Sequence, residues 1–251
     1  MKSKVLLSML VVALSVALIA GGTGAWFTAD ATAPTAEFTA GSVLVNVDEG
    51  EEFIATPEGK YFDNVNPGDC ARVTWDIVNV GTKDAVFRIK LDKAWTDALS
   101  ADNVYYSPLP NSNWTMYEDM NGLWLYYTGA PVPGTYTPES GEAEPQALAA
   151  DQYHSVPLTI VLGFDGAATG NEYQGKRFTI GGQLNAVQAS NGAPLAVWGD
   201  GWTIANSANS FYVNEGLAAT YANYFLSGAG SEMPCWPGQG EEVLYDIDTE
   251  V

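Results

Sequence analysis

The chain has 251 residues, 30 of them acidic and 10 basic, for a formal net charge of −20. Nucleic acid is therefore not an expected partner, because binding a phosphate backbone needs Lys and Arg to displace its counterions, and the same charge opposes anionic lipid. With 47% hydrophobic residues the chain holds too much apolar surface for a disordered acidic tail, so a folded protein with an acidic exterior is expected.

At the amino terminus Lys2 and Lys4 precede a largely apolar run from Val5 to Ala20, followed by Gly21, Gly22, Thr23, Gly24 and Ala25. This is the order of a signal peptide: charged region, apolar helix, small-residue cleavage site. The run falls short of the ~20 residues that cross a bilayer, so a cleaved leader over 1–25 is expected, with no stable membrane anchor left behind. Cleavage between Ala25 and Trp26 removes two basic residues and no acidic one, taking the charge from −20 to −22. Signal peptidase is then a partner during export.

Residues 26–40, rich in Ala and Thr, show no helical spacing of large apolar groups and read as extended chain, interrupted by Pro34. SVLVNV at 42–47 is a β-branched run ended by an acidic turn. The composition of NPGD at 66–69 predicts a turn. After it Val73, Trp75 and Ile77 alternate with Thr74, Asp76 and Val78, the period of a half-buried strand. Beyond Gly81-Thr82, Phe87, Ile89 and Leu91 alternate with Arg88 and Lys90, which predicts a hairpin with the preceding strand.

An irregular aromatic stretch from Trp95 to Trp114 follows, with one short helix expected near Thr96 to Leu99. LWLYY at 123–127, VPLTIVL at 156–162 and RFTIGGQLNAVQA at 177–189 supply further strands. In the last, Phe178, Ile180, Leu184 and Ala186 keep a period of two across Gly181 and Gly182, which suggests a bulge or tight bend. Residues 131–146 form a Pro-, Gly- and Glu-rich loop, and EGLAATYANYFL at 215–226 reads as a short amphipathic helix. The expected organisation is a signal peptide over 1–25, an extended segment over 26–40, an all-β sandwich over 41–190 and an elaboration over 191–251 packed on it.

Chemistry-bearing constellations are sparse. Cys70 and Cys235 are the only cysteines, and a bridge between them would constrain the unfolded chain by up to roughly 5 kcal/mol; two unrelated buried thiols are the alternative. The single histidine, His154, has neither a second imidazole one helical turn away nor a GxSxG elbow to serve, so a zinc peptidase or serine hydrolase is not expected. The acidic runs 48–52 and 246–250 carry oxygen ligands of the Ca2+ type without EF-hand spacing, and read as solvated charge. Trp114, Trp124, Tyr126, Tyr127, Trp198 and Trp202 are either a glycan-stacking platform or core, and core is the commoner fate of such rings. Asn113-Trp114-Thr115 is a glycosylation sequon. Tyr173 and Gln174 are expected to fix a turn. No catalytic residue, metal or cofactor is expected.

Three features occur in order: a leader ending GGTGAWF with Phe38-Thr39-Ala40-Gly41 soon after, a strand entered through NPGD, and GNEYQGKRFTI running on to LNAVQASN. Together they resemble the TasA/camelysin family, secreted proteins whose leader is of the type processed by the SipW signal peptidase. The resemblance covers roughly residues 1–92 and 155–192. It implies a jelly-roll-like sandwich in an extracellular biofilm matrix, polymerised head to tail when each copy donates its freed N-terminal segment to a neighbour's sheet. Carried over to this chain, the donor is Trp26 to Thr39, with Phe27 and Phe38 as apolar anchors. The alternative is that 26–40 forms the first strand of its own sandwich or a disordered tail. A monomeric surface binding module and an extracellular hydrolase, a camelysin-like metallopeptidase among them, are the other functional readings.

Overall fold

The computed structural model describes residues 28–30, 45–48, 53–54, 60–63, 65–134, 154–226 and 235–237, the first three segments by their backbone. The expected leader over 1–25, most of the proposed donor segment and the 135–153 stretch lie outside these residues.

Eleven strands among the described residues form two antiparallel sheets: β1 Thr28–Asp30, β2 Val45–Asp48, β3 Phe53–Ile54, β4 Lys60–Phe62, β5 Cys70–Asn79, β6 Ala85–Trp95, β7 Val104–Pro108, β8 Trp114–Asp119, β9 Gly122–Tyr127, β10 His154–Phe164 and β11 Phe178–Gln188. One sheet runs β1-β11-β6-β9-β8, with β4 also on β11; the other runs β3-β2-β5-β10-β7. The fold is the expected all-β, jelly-roll-like sandwich. Its core is written by the period of two: Val73, Trp75 and Ile77 of one sheet face the interior with Phe87, Ile89 and Leu91 of the other, all at most 5% exposed. At one end Phe164 packs edge-on against Trp95 and Phe178, with ring centroids 5.8 and 5.2 Å away.

The predicted hairpin between the strands flanking Gly81 is not formed. β5 pairs with β2 and β10, and β6 pairs with β11 and β9, so the chain crosses from one sheet to the other instead of turning back beside itself. The reason lies in Asn79, fully buried at the end of β5. Its Nδ2 donates to the carbonyls of Lys83 and Val132, each at 2.9 Å, and its Oδ1 accepts from the Gly81 amide at 3.0 Å. These bonds hold an arch in which both strands turn their apolar faces to one core. The NPGD turn behaves as expected: Gly68 has φ 87° and its amide donates to Phe164 O at 2.9 Å, tying the entry of β5 to the end of β10.

The C-terminal segment packs on the sandwich through α1 Ala193–Trp198, α2 Asp200–Ser207 and α3 Gly216–Leu226. α1 and α2 cover the outer face of the β6 sheet, where Val86, Trp124, Tyr126 and Val187 meet Ala193, Trp198 and Ala205. Arg88 lies among these rings, its guanidinium 3.9 Å from the Trp124 centroid, and donates to Asn185 Oδ1 and Tyr126 Oη at 3.2 Å each. α3 contributes Ala218 and Ala222 to the main core and packs against β7 and β8, the last strands of their respective sheets. It thereby closes the seam between the sheets. Among the described residues no helix is long and apolar enough to cross a membrane.

Candidate functional site

The two sides of the sandwich are finished differently. Beside α3, the chain at 211–213 lies along β8: the Met116 amide donates to Phe211 O at 2.9 Å and the Val213 amide to Met116 O at 2.8 Å. A sheet edge that would otherwise present free N–H and C=O groups is capped there.

The opposite edge is that of β11. Along its inner side β11 pairs with β6 over all its residues, from Phe178↔Trp95 to Gln188↔Ala85, without a change of register. The expected bulge at Gly181-Gly182 is therefore absent. Gly182 has a different cause: a Cβ built there would collide with the Lys90 carbonyl oxygen and stand 3.2 Å from Leu91 Cα, so only glycine lets β6 approach so closely. Along its outer side β11 carries two short strands. β4 covers Phe178 to Ile180 and β1 covers Asn185 to Val187, so Gly181, Gly182, Gln183 and Leu184 have no strand opposite them among the described residues.

β4 is anchored at this edge. Arg177 grips Asp63 with both forks, Nε to Oδ1 at 2.8 Å and Nη2 to Oδ2 at 2.9 Å, and this hydrogen bonding holds the Asp63 carboxyl below its ordinary pKa. Phe62 places its ring 6.3 Å from both Phe164 and Phe178. β4 was not anticipated from sequence, because Lys60-Tyr61-Phe62 is too short to show a period. The NEYQG segment does fix a turn, as expected: Tyr173 packs 5.0 Å from Trp95 and donates to Ser100 O at 3.0 Å.

Trp26, Phe27, Phe38 and Thr39, and the Ala25 cleavage position, lie outside the described residues. Of the proposed donor segment, Thr28 to Asp30 are described, and they pair antiparallel with β11 of the same chain: Thr28↔Val187, Ala29↔Ala186, Asp30↔Asn185. Cys70 and Cys235 are joined in a disulfide. The six aromatic residues do not share one surface. Trp114 and Tyr127 belong to the main core, whereas Trp124, Tyr126, Trp198 and Trp202 lie under or on the α1–α2 layer. His154 is exposed at the first position of β10, as expected. Of the two acidic runs only Asp48 is described, by its backbone in β2.

Residues 1–103 match the family model described as camelysin metallo-endopeptidase. Over those residues the chain is similar to the camelysin family. The match includes the expected leader, the proposed donor segment, β1 to β6 and the entry to β7, and it supports the TasA/camelysin resemblance read from the motifs. No curated protein and no solved structure matches the chain. A peptidase metal of the kind the camelysin description implies does not fit the donor set of the described residues. The single histidine is exposed at a strand end, both cysteines are spent in the disulfide, and no group of three or more His, Cys, Asp or Glu that could hold a metal occurs among the described residues. No catalytic step is derived through such a metal. What the described residues do assemble is a half-covered sheet edge.

Proposed function

We propose that this protein is a non-enzymatic, exported structural subunit, assembled outside the cell with copies of itself into a filament in which each copy's N-terminal segment is donated to the β11 edge of the next. The observation that carries this reading is the β11 edge itself. It is eleven residues long, yet among the described residues it is covered by only three residues of β4 and three of β1. The strand Thr28–Asp30 that sits there in cis is the one a neighbour would supply in trans, so polymerisation is an exchange of equivalent strands.

Register is compatible with the exchanged form, as it is with the strand kept in its own sheet. Continuing the pairing of β1 by four residues would set Ala31 to Pro34 opposite Leu184 to Gly181, filling the uncovered stretch. Pro34, which has no N–H to give, then falls at the junction with β4, where Ile180 already has Lys60 as its partner. The small side chains of Ala31 and Ala33 suit a strand laid against a crowded edge. Head-to-tail donation of this kind does not close on itself, and gives a filament. Removal of the leader would free the donor and so act as the assembly trigger.

Electron microscopy of the mature protein with and without residues 26–39 tests this. Filaments from the full mature chain and a folded, dispersed monomer from the truncated one support the proposal. Filaments of unchanged yield from the truncated chain rule it out, and a mature chain that stays monomeric at every concentration favours a binding module with Thr28–Asp30 kept in its own sheet.

A further inference from the structure

We propose that the Cys70–Cys235 disulfide is a latch on the capped side of the sandwich, and that a dithiol reductant opens it, loosening the segment that covers the β8 edge while both sheets stay folded. The latch has its own cluster. Cys70, Val161, Tyr224, Phe225, Cys235 and Trp236 pack together on the outer face of the β5–β10 sheet, apart from the main core. The Cys235 amide donates to Cys70 Sγ at 3.3 Å and Arg72 Nε donates to Cys235 O at 2.8 Å, so residue 235 is held at three points.

From there the hold passes outward through rings. Trp236, the next residue, is stacked on Phe225 of α3 with centroids 4.9 Å apart and lies 6.1 Å from Phe211. Phe211 O is the acceptor of the Met116 amide on β8, and Tyr224, beside Phe225, is stacked on Tyr105 of β7 at 4.1 Å. One bond between sulfurs thus fixes the indole that braces both the α3 end and the edge cap. Besides Trp236, the cap at 211–213 is held by two backbone bonds to Met116, one from Thr115 Oγ1 to Ser210 O at 3.3 Å, and the packing of the half-buried Phe211 and Tyr212 against the main core. α3 differs, because Ala218 and Ala222 stay in the main core whatever happens to Trp236. Opening is therefore local.

The chemistry is ordinary thiol–disulfide exchange: the dithiol gives two electrons and two protons, the S–S bond becomes two thiols, and the reductant leaves as its own cyclic disulfide. Both sulfurs are buried, with Cys70 2% and Cys235 0% exposed, so attack waits on local opening and the latch is slow to release.

The test is amide hydrogen exchange on the full mature chain, oxidised and after prolonged dithiothreitol, beside Cys235→Ser and, with the disulfide intact, Trp236→Ala. Met116 and Val213 are expected to exchange about tenfold faster or more in the reduced protein and in Cys235→Ser, with β10 amides unchanged. Trp236→Ala should accelerate the same two amides with the sulfurs still joined. Unchanged exchange at Met116 and Val213 overturns the proposal, as does an equal loss of protection in β10, which would make the disulfide a staple for the whole fold. If reduction precipitates the protein, Trp236→Ala decides alone.

Discussion

Gly182 lies against the backbone carbonyl of Lys90 with no room between them for a Cβ. Lys90 O and the nearby Leu91 Cα are backbone atoms of β6, and neither can swing aside as a side chain would. Gly182→Ala should therefore force β11 and β6 apart and cost about 1–3 kcal/mol, measured by urea unfolding. A loss below about 0.5 kcal/mol, the range of an ordinary surface change, would show that the sheet relaxes freely at this point.

Asn79 is the keystone of the β5–β6 arch. Replacement by Ala strands the Gly81 amide and removes a donor from the Lys83 and Val132 carbonyls, and Asn79→Ala is expected to cost about 2–4 kcal/mol. The Val132 carbonyl keeps its bond from the Ala85 amide at 2.9 Å, which sets the upper bound. Calorimetric melting is the check, and a variant as stable as the parent would mean the crossing between sheets is enforced elsewhere.

Lys93 projects beneath α3, where Nζ donates to Val104 O and faces the Tyr221 ring at 5.0 Å. Burial lowers its pKa to about 8, against a weaker opposing pull from Asp102, whereas the unfolded chain has the ordinary 10.5. Between those values the unfolded chain holds a proton that the folded chain has released, so this group makes stability rise with pH from about 8 to 10.5. The tyrosines act in the opposite sense: burial pushes Tyr221 up to about 12 and raises Tyr106 and Tyr224 too, so above pH 10 the unfolded chain loses protons first. Lys93→Met should be more stable than the parent below pH 8, with the gap narrowing by pH 10. A gap independent of pH would mean that Lys93 keeps its charge throughout.

Ala29 and Ala186 stand directly opposite each other across β1 and β11. Copies carrying Ala29→Cys mixed with copies carrying Ala186→Cys should give bridged dimers on a non-reducing gel when filaments form, and none from truncated chains lacking 26–39. The double variant in one chain should give ladders under the same conditions. Only internally bridged monomers, at every concentration, would mean that the strand never leaves its own sheet.

Much of the sandwich was legible where a strand buries one face. Val73-Trp75-Ile77 and Phe87-Ile89-Leu91 announce themselves by alternation, and the 215–226 helix by its run of Ala, Leu and aromatic residues. Which strands pair was not legible. β5 meets β10 and β6 meets β11 across long sequence separations that no local period encodes, whereas nearness in sequence suggested a hairpin that Asn79 forbids. The glycine pair in β11 was read as a bulge because its real cause, the Lys90 carbonyl, belongs to another strand. β4 and the cap at 211–213 each work through a few residues and backbone bonds, so they leave no pattern to read. The donor segment was inferred from the leader and motifs of the family, but the edge to receive it was not, and the half-covered side of β11 became visible only once β1 and β4 were placed on it.

The bond between Cys70 and Cys235 spans 165 positions, and every strand from β5 to β11 lies inside that ring. When the molecule is pulled by its two chain ends the force enters and leaves outside the ring, so the load crosses the sulfurs and the enclosed polypeptide cannot pay out. At roughly 3.5 Å per extended residue the bridge withholds on the order of 550 Å of slack from each unit. Held by its ends the molecule is thereby stiff: its body from β5 to β11 lengthens only after the sulfurs part.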